Sequence, residues 1–416
     1  MNSRIFVHMD LSGKTFPVGT LWIHEKRGRQ TASFEYERNW QSSDIHFPLE
    51  PALLVTNGQY HTQNALFGCI SDSAPDRWGR KLIQRLEFHL AGVENRKART
   101  LQESDYLLMV DDRSRQGALR FSLNEKGPYL ARYSDSSIPP LVHLGRLLTL
   151  SDKVVKDEET GADIKDLVEP GSSLGGARPK ASVLDNQGNL LLAKFSSPKD
   201  DWDVELWEAL CFRMAKQAGI QVPEVNLIQV SGKNVLLLHR FDRKGTDRIP
   251  FLSAMSMLGA SDGDTGSYLE INEALIAHGA NPDADLKELW KRIVFNILIS
   301  NVDDHLRNHG FLYENLSGWR LSPIYDLEPT PGHIKPRFLS TNITLDDATA
   351  CLDLAYEVAP EFGLSATEAR TIAGQVAVVT AKWSRIASHL GAGRREIDFM
   401  NSAFEHDDLK NALKHR

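Results

Sequence analysis

A periodic run of apolar side chains marks residues 286–300 as a buried helix. The apolar positions recur every three or four residues, which is the spacing of one helical face. They are Leu286, Leu289, Trp290, Ile293, Val294, Ile297 and Leu298. The next stretch, residues 301–309, carries two carboxylates, two imidazoles and two carboxamides. Because a core helix rarely leads into so many polar groups, this stretch is the first candidate for chemistry.

Shorter patterns occur along the rest of the chain. Strand patterns occupy residues 18–23, 31–36, 181–184, 190–195, 225–230 and 235–240. Helical patterns begin at Pro75 and at residue 202, and they dominate the chain from residue 251 onward, with residues 366–390 as the longest span. A polar stretch ending in Pro139-Pro140 separates the first part from the second. We therefore predict an α+β protein with a small α+β module over residues 1–130, a strand-rich lobe over 131–250 and a helical lobe over 251–416.

Composition places the chain among ordinary globular proteins. Of its 416 residues, 41% are hydrophobic and 25% are charged. A net charge of −7 argues against a protein that coats nucleic acid through bulk charge. The cysteines Cys69, Cys211 and Cys351 are far apart and form neither a disulfide framework nor a zinc pattern. With no apolar run long enough for a membrane span, we predict a cytoplasmic protein.

The polar stretch contains a spacing that is typical of phosphoryl transfer. Asp303 and Asn308 stand five residues apart, as in the catalytic loop H-R-D-x-x-x-x-N of protein kinases. In that loop the Asp accepts the proton of the substrate hydroxyl and the Asn holds magnesium. Asp326 follows a short strand-like run and stands where the second metal carboxylate would be. We predict Asp303 as the general base, although Asp304 competes for that role, and Asn308 and Asp326 as ligands of Mg²⁺.

A nucleotide site is predicted from three features that precede this stretch. Lys194 stands near the end of the apolar run 190–195, like the lysine of V-A-I-K in kinases. A glycine-bearing loop, residues 171–180, comes one strand earlier. Glu205 follows Lys194 on a predicted helix and could orient it, with Glu208 one turn further on. Loop, Lys, Glu, Asp-x4-Asn and Asp occur in the kinase order, which predicts ATP as the phosphate donor.

These motifs together resemble the HipA-type serine/threonine kinases, which are toxins of bacterial toxin–antitoxin pairs. The similarity covers nearly the whole chain and is looser in the N-terminal module. It rests on Ser173-Leu-Gly-Gly-Ala-Arg-Pro-Lys180, Leu192-Ala-Lys-Phe195, Arg240-Phe-Asp-Arg243, Asn301-Val-Asp-Asp-His-Leu-Arg-Asn308 and Pro323-Ile-Tyr-Asp326, and in the module on Val18-Gly-Thr-Leu21, Asp76-Arg-Trp-Gly-Arg80 and Gly117-Ala-Leu-Arg-Phe121.

The resemblance implies a set of nucleotide-contacting residues. They are Ser173, Gly175, Gly176, Ala177, Lys180, Lys194, Glu205, His239, Phe241 and His305. In such an arrangement Phe241 packs on the adenine, backbone atoms of His239 bond its edge, and His305 is a hydrogen bonder of the catalytic loop. Lys180 either contacts phosphate or faces solvent. By position, Ser173 matches the family's autophosphorylation site, with Ser172 as the neighbouring alternative. A phosphate there would oppose ATP binding by repulsion.

The resemblance also implies function and partners. It points to an ATP- and Mg²⁺-dependent serine/threonine protein kinase that arrests growth as a toxin. A HipB-like helix-turn-helix antitoxin would be its partner and would carry it to DNA. An aminoacyl-tRNA synthetase, specifically glutamyl-tRNA synthetase, is one implied substrate. No contact with a membrane is expected.

Three other functions stay open at this point. A kinase of small molecules would use the same residues. A module without catalysis could dock the antitoxin and strengthen operator repression. His305 and His309, four residues apart, could bind zinc in a hydrolase, but the H-E-x-x-H pattern and a third ligand are missing. Because all the expected catalytic residues are present, an active kinase is the favoured interpretation.

Overall fold

The computed structural model describes residues 2–129, 138–171, 176–314 and 317–415. The chain divides into two compact units: residues 1–199 with 228–252, and residues 200–227 with 253–416. The first is rich in strands and the second is mainly helical, so the predicted α+β class is confirmed. Among the described residues, no helix combines the length and the apolar character that crossing a membrane requires.

The strands are β1 Asn2–Leu11, β2 Lys14–Lys26, β3 Arg29–Tyr36, β4 Gln59–Thr62, β5 Leu119–Ser122, β6 Lys180–Leu184, β7 Leu190–Phe195, β8 Val225–Val230, β9 Lys233–His239, β10 Arg243–Lys244, β11 Asp247–Arg248, β12 Phe251–Ser253, β13 Gly310–Glu314 and β14 Gly318–Leu321. The helices are α1 Arg38–Gln41, α2 Gly68–Ser71, α3 Arg77–Val93, α4 Glu103–Met109, α5 Leu144–Lys156, α6 Gly161–Gly171, α7 Val204–Gln217, α8 Ala254–Met257, α9 Tyr268–His278, α10 Pro282–Ile299, α11 Leu352–Val358, α12 Ala366–Thr380, α13 Trp383–Leu390, α14 Arg394–Phe404 and α15 Asp407–Ala412. Short 3₁₀ helices cover Leu141–His143, Leu306–Asn308, Ala359–Phe362 and Leu413–His415.

Two sheets organise the first unit. Five strands pair in the order β4-β3-β2-β1-β5, and four pair in the order β6-β7-β9-β8. Gly19 in β2 lies against Phe34 in β3 so closely that a Cβ would stand 2.4 Å from the phenyl ring. Only glycine fits there, which explains the glycine of the Val18–Leu21 motif.

Helix α3 belongs to the same hydrophobic core as the four-stranded sheet. Its buried face packs with helices α5 and α6 and with the inner face of strands β6, β7 and β9. The core residues of these elements include Trp78, Leu82, Ile83, Leu86, Leu147, Val154, Ile164, Leu167, Ala181, Val183, Leu191, Ala193, Phe195, Val235 and Leu237. A helix of the N-terminal module therefore supports the sheet that carries Lys194.

Helix α10 forms the centre of the second unit. It begins with Pro282 in its first turn and is buried along most of its length, as the apolar spacing predicted. Strands β13 and β14 follow it in the chain and pair with each other in antiparallel fashion.

Two predicted helical regions of this unit differ from the structure. The span 366–390 is two helices, because the chain turns after Thr380 and buries Trp383, whose ring stacks on Phe404 at 4.7 Å between centroids. Residues 322–351 form no helix and no regular strand. Their polar groups bond to the loop after α10 instead: the Ser340 hydroxyl donates to the carbonyl oxygen of Val302 at 2.9 Å.

Candidate active site

Helix α10 ends at a residue that turns the chain into the polar segment 301–309. Ser300 adopts a left-handed conformation with φ of 51°, and its hydroxyl donates to the carbonyl oxygen of Ala403 at 2.8 Å. Arg337 donates from Nε to the Ser300 hydroxyl oxygen at 3.1 Å and from Nη2 to the carbonyl oxygen of Ile297 at 2.9 Å. A cation at this end satisfies carbonyls that lack an intrahelical donor. The direction in which the polar segment leaves the helix is thereby fixed.

The polar segment closes into a tight turn between Asp303 and Asn308. The side-chain amide of Asn308 donates to the carbonyl oxygen of Asp303 at 2.9 Å, and its backbone N–H donates to the carbonyl oxygen of His305 at 2.7 Å. Asp303 is exposed, whereas Asn308 is buried. Because the amide nitrogen is the donor, the carboxamide oxygen of Asn308 remains for another partner, and Mg²⁺ accepts such oxygens. The turn thus presents an accessible carboxylate beside a suitable metal ligand.

Asp304, next to the exposed carboxylate, points into the interior. Its carboxylate accepts a short hydrogen bond from the Tyr268 hydroxyl, and its backbone carbonyl accepts from the Thr341 hydroxyl at 2.6 Å. The Nε2 atom of His309 lies 3.0 Å from Asp304 Oδ1. Asn296 donates to the Tyr268 oxygen at 3.1 Å, which completes a buried polar network. Of the two adjacent carboxylates, Asp303 is the one that a substrate can reach.

The segment that carries Asp326 is attached to the same turn. The Tyr325 hydroxyl donates to the carbonyl oxygen of Arg307 at 2.6 Å, one residue before Asn308. Asp326 has φ of 59°, a left-handed conformation that is uncommon for residues other than glycine. Backbone strain of this kind clusters at functional sites. The structure therefore brings the segment of Asp326 to the turn of Asp303 and Asn308.

The two histidines of the segment do not share an α-helical face. His305 precedes a single 3₁₀ turn, and His309 follows it, beside Asp304. The described residues contain no group of three or more His, Cys, Asp or Glu side chains arranged to hold a metal ion. The spacing argument for a zinc hydrolase assumed one helix through both histidines, and that assumption is wrong.

In the first unit, Lys194 lies directly opposite Lys180 in the register of β6 and β7. Like charges at such positions repel each other. The Lys180 ammonium is 3.0 Å from Asp76 Oδ2, and the Lys180 and Asp76 side chains are only 3% and 6% exposed. Two roles were predicted as alternatives for Lys180, and the one in which it faces solvent is therefore wrong. A phosphate contact stays a prediction, now for an ammonium that already has a carboxylate partner.

The glycine-bearing loop is described only at its two ends. Ser172, Ser173 and Gly175 lie outside the described residues. Gly176 has φ of 103°, a backbone conformation that residues with a Cβ rarely adopt, so the position favours glycine. Ala177, the next residue, is exposed.

The predicted base-binding segment follows β9. His239 is the last residue of that strand and is half-buried. Phe241 is also half-buried, with its ring centroid 6.3 Å from that of Phe251. Both can therefore contact a ligand, and their contact with adenine stays a prediction.

Asp242, between these residues and β10, ties the segment to the N-terminal module. Its carboxylate pairs with Arg240 at 2.5 Å and Arg243 at 2.7 Å and accepts from the backbone N–H of Gly117 at 2.7 Å. Burial alone would raise the pKa of Asp242, but the two guanidinium groups outweigh it and hold this pKa below its usual range. Burial lowers the pKa of Arg243 to about 10. The carboxylate is thus ionised at neutral pH and holds three donors in place.

Glu205 and Glu208 lie on α7 in the second unit, and both are buried. Buried carboxylates are rare unless they have partners. Since Lys194 belongs to the first unit, the predicted pairing of Lys194 with Glu205 stays a prediction.

Three residues of these arrangements were not identified as functional from the sequence: Asp76, Asp242 and Tyr268. The first two belong to segments that carry the family resemblance, so the motifs themselves were a signal. No sequence pattern indicated Tyr268, because its partner Asp304 lies 36 residues further along the chain.

Comparisons with known proteins agree on one family. Residues 172–383 match the HipA-like C-terminal domain and residues 9–104 match the HipA N-terminal domain. The "Putative kinase" of Haemophilus influenzae is 29% identical over 187 residues, covering 39% of this chain and 54% of that protein. The serine/threonine-protein kinase toxin HipA of Shewanella oneidensis is 22% identical over 342 residues, covering 74% of this chain and 73% of that protein.

A second putative kinase, Y4dM of Sinorhizobium fredii, is 30% identical over 190 residues, covering 39% of this chain and 46% of that protein. The chain thus spans about half the length of this relative and of the Haemophilus protein. Among solved structures, the Shewanella oneidensis complex of HipA, HipB and operator DNA has a chain that matches 98% of this one, with 96% of its own length covered, 18% identity and a TM-score of 0.64. At this identity the match shows a shared fold.

Proposed function

The chain belongs to the HipA family, and from that premise we propose that it is an ATP- and Mg²⁺-dependent serine/threonine protein kinase acting as the toxin of a toxin–antitoxin pair. The observation that carries the proposal is the turn between Asp303 and Asn308. It presents one exposed carboxylate, buries its neighbour Asp304, and lies against the segment of Asp326. Phosphoryl transfer requires such positioning and little covalent chemistry from the protein.

Asp303 acts on the hydroxyl of the protein substrate. As the hydroxyl oxygen bonds to the γ-phosphorus, the bond from that phosphorus to the ADP oxygen breaks and Asp303 accepts the hydroxyl proton. The exposure of Asp303 supports this role, because a macromolecular substrate must bring its side chain to the carboxylate.

Asn308 and Asp326 are the residues that would hold Mg²⁺. A carboxamide and a carboxylate suit this ion, which keeps several waters and bonds phosphate oxygens besides one or two protein ligands. When bound, the metal would neutralise charge on the phosphates. Lys194 would contact the phosphates, and Phe241 and the His239 backbone would contact the base.

The partner and the substrate follow from the same family. The similar Shewanella chain was solved with HipB and operator DNA. We therefore propose a HipB-like helix-turn-helix antitoxin as the partner of this chain, with DNA contacted mainly through it. As the protein substrate we propose an aminoacyl-tRNA synthetase, with glutamyl-tRNA synthetase as the first to test. Ser173 is the proposed site of autophosphorylation.

Transfer from γ-labelled ATP tests the proposal. Wild-type protein and Asp303→Ala are incubated with purified glutamyl-tRNA synthetase, and separately with lysate proteins and with a lysate fraction of small molecules. Label in a protein with the wild type alone supports a protein kinase. Label only in small molecules identifies the other class of kinase, and equal labelling by Asp303→Ala removes the assigned base.

A further inference from the structure

Three contacts join the start of helix α3 to the root of the Gly-rich loop, which we define as residues 176–180. The Trp78 backbone N–H donates to the carbonyl oxygen of Gly176 at 3.2 Å. The Trp78 indole N–H donates to the carbonyl oxygen of Lys180 at 3.0 Å. The Lys180 ammonium pairs with Asp76 at 3.0 Å. Two residues of the N-terminal module thus bond to both ends of the loop root.

Two of the residues that make these contacts belong to the N-terminus of helix α3. Asp76 is the N-cap of α3, and its second carboxylate oxygen accepts from the backbone N–H of Gly79 at 2.6 Å. The Trp78 N–H belongs to the first turn of the helix, where donors have no intrahelical partner. The loop root therefore satisfies a donor that α3 cannot satisfy itself, while one carboxylate serves both the helix and Lys180.

The loop root in turn leads directly into the strand beside Lys194. Lys180 opens β6 and faces Lys194 across the register with β7. The carbonyl oxygen of Pro179 accepts from the backbone N–H of Phe195 at 2.9 Å, so the root is fixed to this strand as well. A displacement of the loop root would therefore shift the strand next to Lys194, the lysine predicted to contact the phosphates.

We propose that Asp76 and Trp78 form a clamp that holds the root of the Gly-rich loop and thereby sets the affinity of this chain for nucleotide. This inference rests on the kinase function proposed above. Asp76 and Trp78 are positioning residues, since they act through Gly176 and Lys180. The Asp76-Arg-Trp segment thus has a task inside the molecule, in addition to any that the N-terminal module has toward partners.

The physical reason for a large effect is the buried charge. Without Asp76, the Lys180 ammonium would be left in the interior without this carboxylate, which is strongly unfavourable. The lysine would then move toward water or toward another anion. Because Lys180 is itself the last residue of the loop root, a movement of its side chain pulls on the backbone of the root and weakens the bond from Trp78 to its carbonyl oxygen.

The first test uses Asp76→Asn. Asparagine caps helices as well as aspartate does, so helix α3 keeps its cap while the ion pair with Lys180 is lost. We expect the KM for ATP to rise about tenfold, in the usual range for coupling between sites, with kcat changed less than about twofold. Glu103→Gln is the matched control, because it breaks an ion pair at 2.6 Å between Arg80 of α3 and Glu103 of α4, which involves neither Asp76 nor Lys180.

The second test separates the clamp from general destabilisation. If Asp76 acts through Lys180, the effects of Asp76→Asn and Lys180→Met on KM are not additive in the double variant. Hydrogen–deuterium exchange of peptides covering residues 176–184, measured without nucleotide, should be faster in Asp76→Asn and in Trp78→Phe than in the wild type and Glu103→Gln.

Each outcome has a defined meaning. Unchanged KM and unchanged exchange in Asp76→Asn overturn the clamp. Tighter ATP binding by Asp76→Asn overturns it too, because Asp76 would then merely compete with phosphates for Lys180. If the wild type itself binds no ATP, the proposed function fails, and the nucleotide part of the clamp fails with it, whereas the exchange data still report whether Asp76 and Trp78 hold the loop root.

Discussion

The side-chain amide of Asn308 donates to the backbone carbonyl oxygen of Asp303 at 2.9 Å. This bond gives a structural reason for the five-residue spacing that the sequence shows. The metal ligand proposed at Asn308 and the base proposed at Asp303 therefore belong to one turn that this bond closes. Two neighbouring residues fix the position of this turn. The Asp304 carboxylate accepts from the Tyr268 hydroxyl, and the Ser300 hydroxyl donates to the carbonyl oxygen of Ala403.

Alanine substitutions at the two adjacent carboxylates should affect different properties: Asp303→Ala the rate of phosphate transfer, and Asp304→Ala the stability of the fold. Asp303→Ala should leave the free energy of unfolding within about 0.5 kcal/mol of the wild type, since the residue is exposed, and should lower kcat at least about a hundredfold. Asp304→Ala removes the acceptor of the buried Tyr268 hydroxyl and should lower the free energy of unfolding by about 1–3 kcal/mol. Urea unfolding and phosphate transfer measure both. Equal loss of stability in the two variants would contradict the assignment.

Two substitutions at Asp326 separate backbone strain from catalysis. Glycine adopts the left-handed conformation found here, φ of 59°, without strain, whereas alanine does not. Both remove the carboxylate, so both should abolish transfer. Asp326→Gly should nevertheless unfold with a free energy about 1 kcal/mol higher than Asp326→Ala. A glycine variant no more stable than the alanine variant would show that the conformation carries no strain.

Asp242 should be a major contributor to the stability of the first unit. Asp242→Ala leaves Arg240 and Arg243, whose side chains are only 5% and 8% exposed, without their carboxylate and should lower the free energy of unfolding by about 3–5 kcal/mol. Asp157→Asn is the control, because it removes the charge from an ion pair with Arg85 in which the aspartate side chain is 65% exposed, and because asparagine tolerates the left-handed φ of 60° at this position. Such a pair contributes less than about 1 kcal/mol. Similar losses in both variants would refute the special role of Asp242.

We expect His406 to make the stability of the second unit depend on pH. Burial, together with Arg337, holds the pKa of His406 below its usual range despite the neighbouring Asp408. The unfolded chain therefore takes up a proton near pH 6.5 that the folded chain resists, and stability falls as the pH drops below that value. Between pH 7.5 and pH 5.5 the wild type should lose about 1 kcal/mol more than His406→Asn. A parallel loss in both proteins would exclude His406 as the cause.

The elements that could be predicted from the sequence are those whose pattern of side chains lies within a few consecutive residues. The buried face of α10, the strands around Lys194 and the turn of Asp303 and Asn308 follow from spacing within a few residues. The break between α12 and α13 could not be predicted, since no Gly or Pro marks it and the turn depends on Trp383 packing against the distant Phe404. Likewise, the irregular segment 322–351 depends in part on contacts with the loop after α10, such as the bond from Ser340 to Val302, which no local pattern indicates.

The residues of the candidate site show the same difference between local patterns and contacts across long stretches of chain. Asp303 could be chosen over Asp304 only through its five-residue spacing to Asn308 and a family resemblance, because the two residues are adjacent and of the same type. Their difference arises from Tyr268 and Thr341, which reach Asp304 from separate parts of the chain. The burial of Lys180 depends on Asp76, 104 residues away. Contacts at such separations have no spacing rule to reveal them.

The intact mass of the protein after incubation with ATP and Mg²⁺ tests the central claim most directly. Wild type and Asp303→Ala are first treated with a phosphatase, which is then removed. We predict that the wild type alone gains the mass of one phosphate, located at Ser173 or the adjacent Ser172. The same gain in Asp303→Ala, or no gain together with no detectable binding of ATP by the wild type, would contradict the account of this chain as an active kinase.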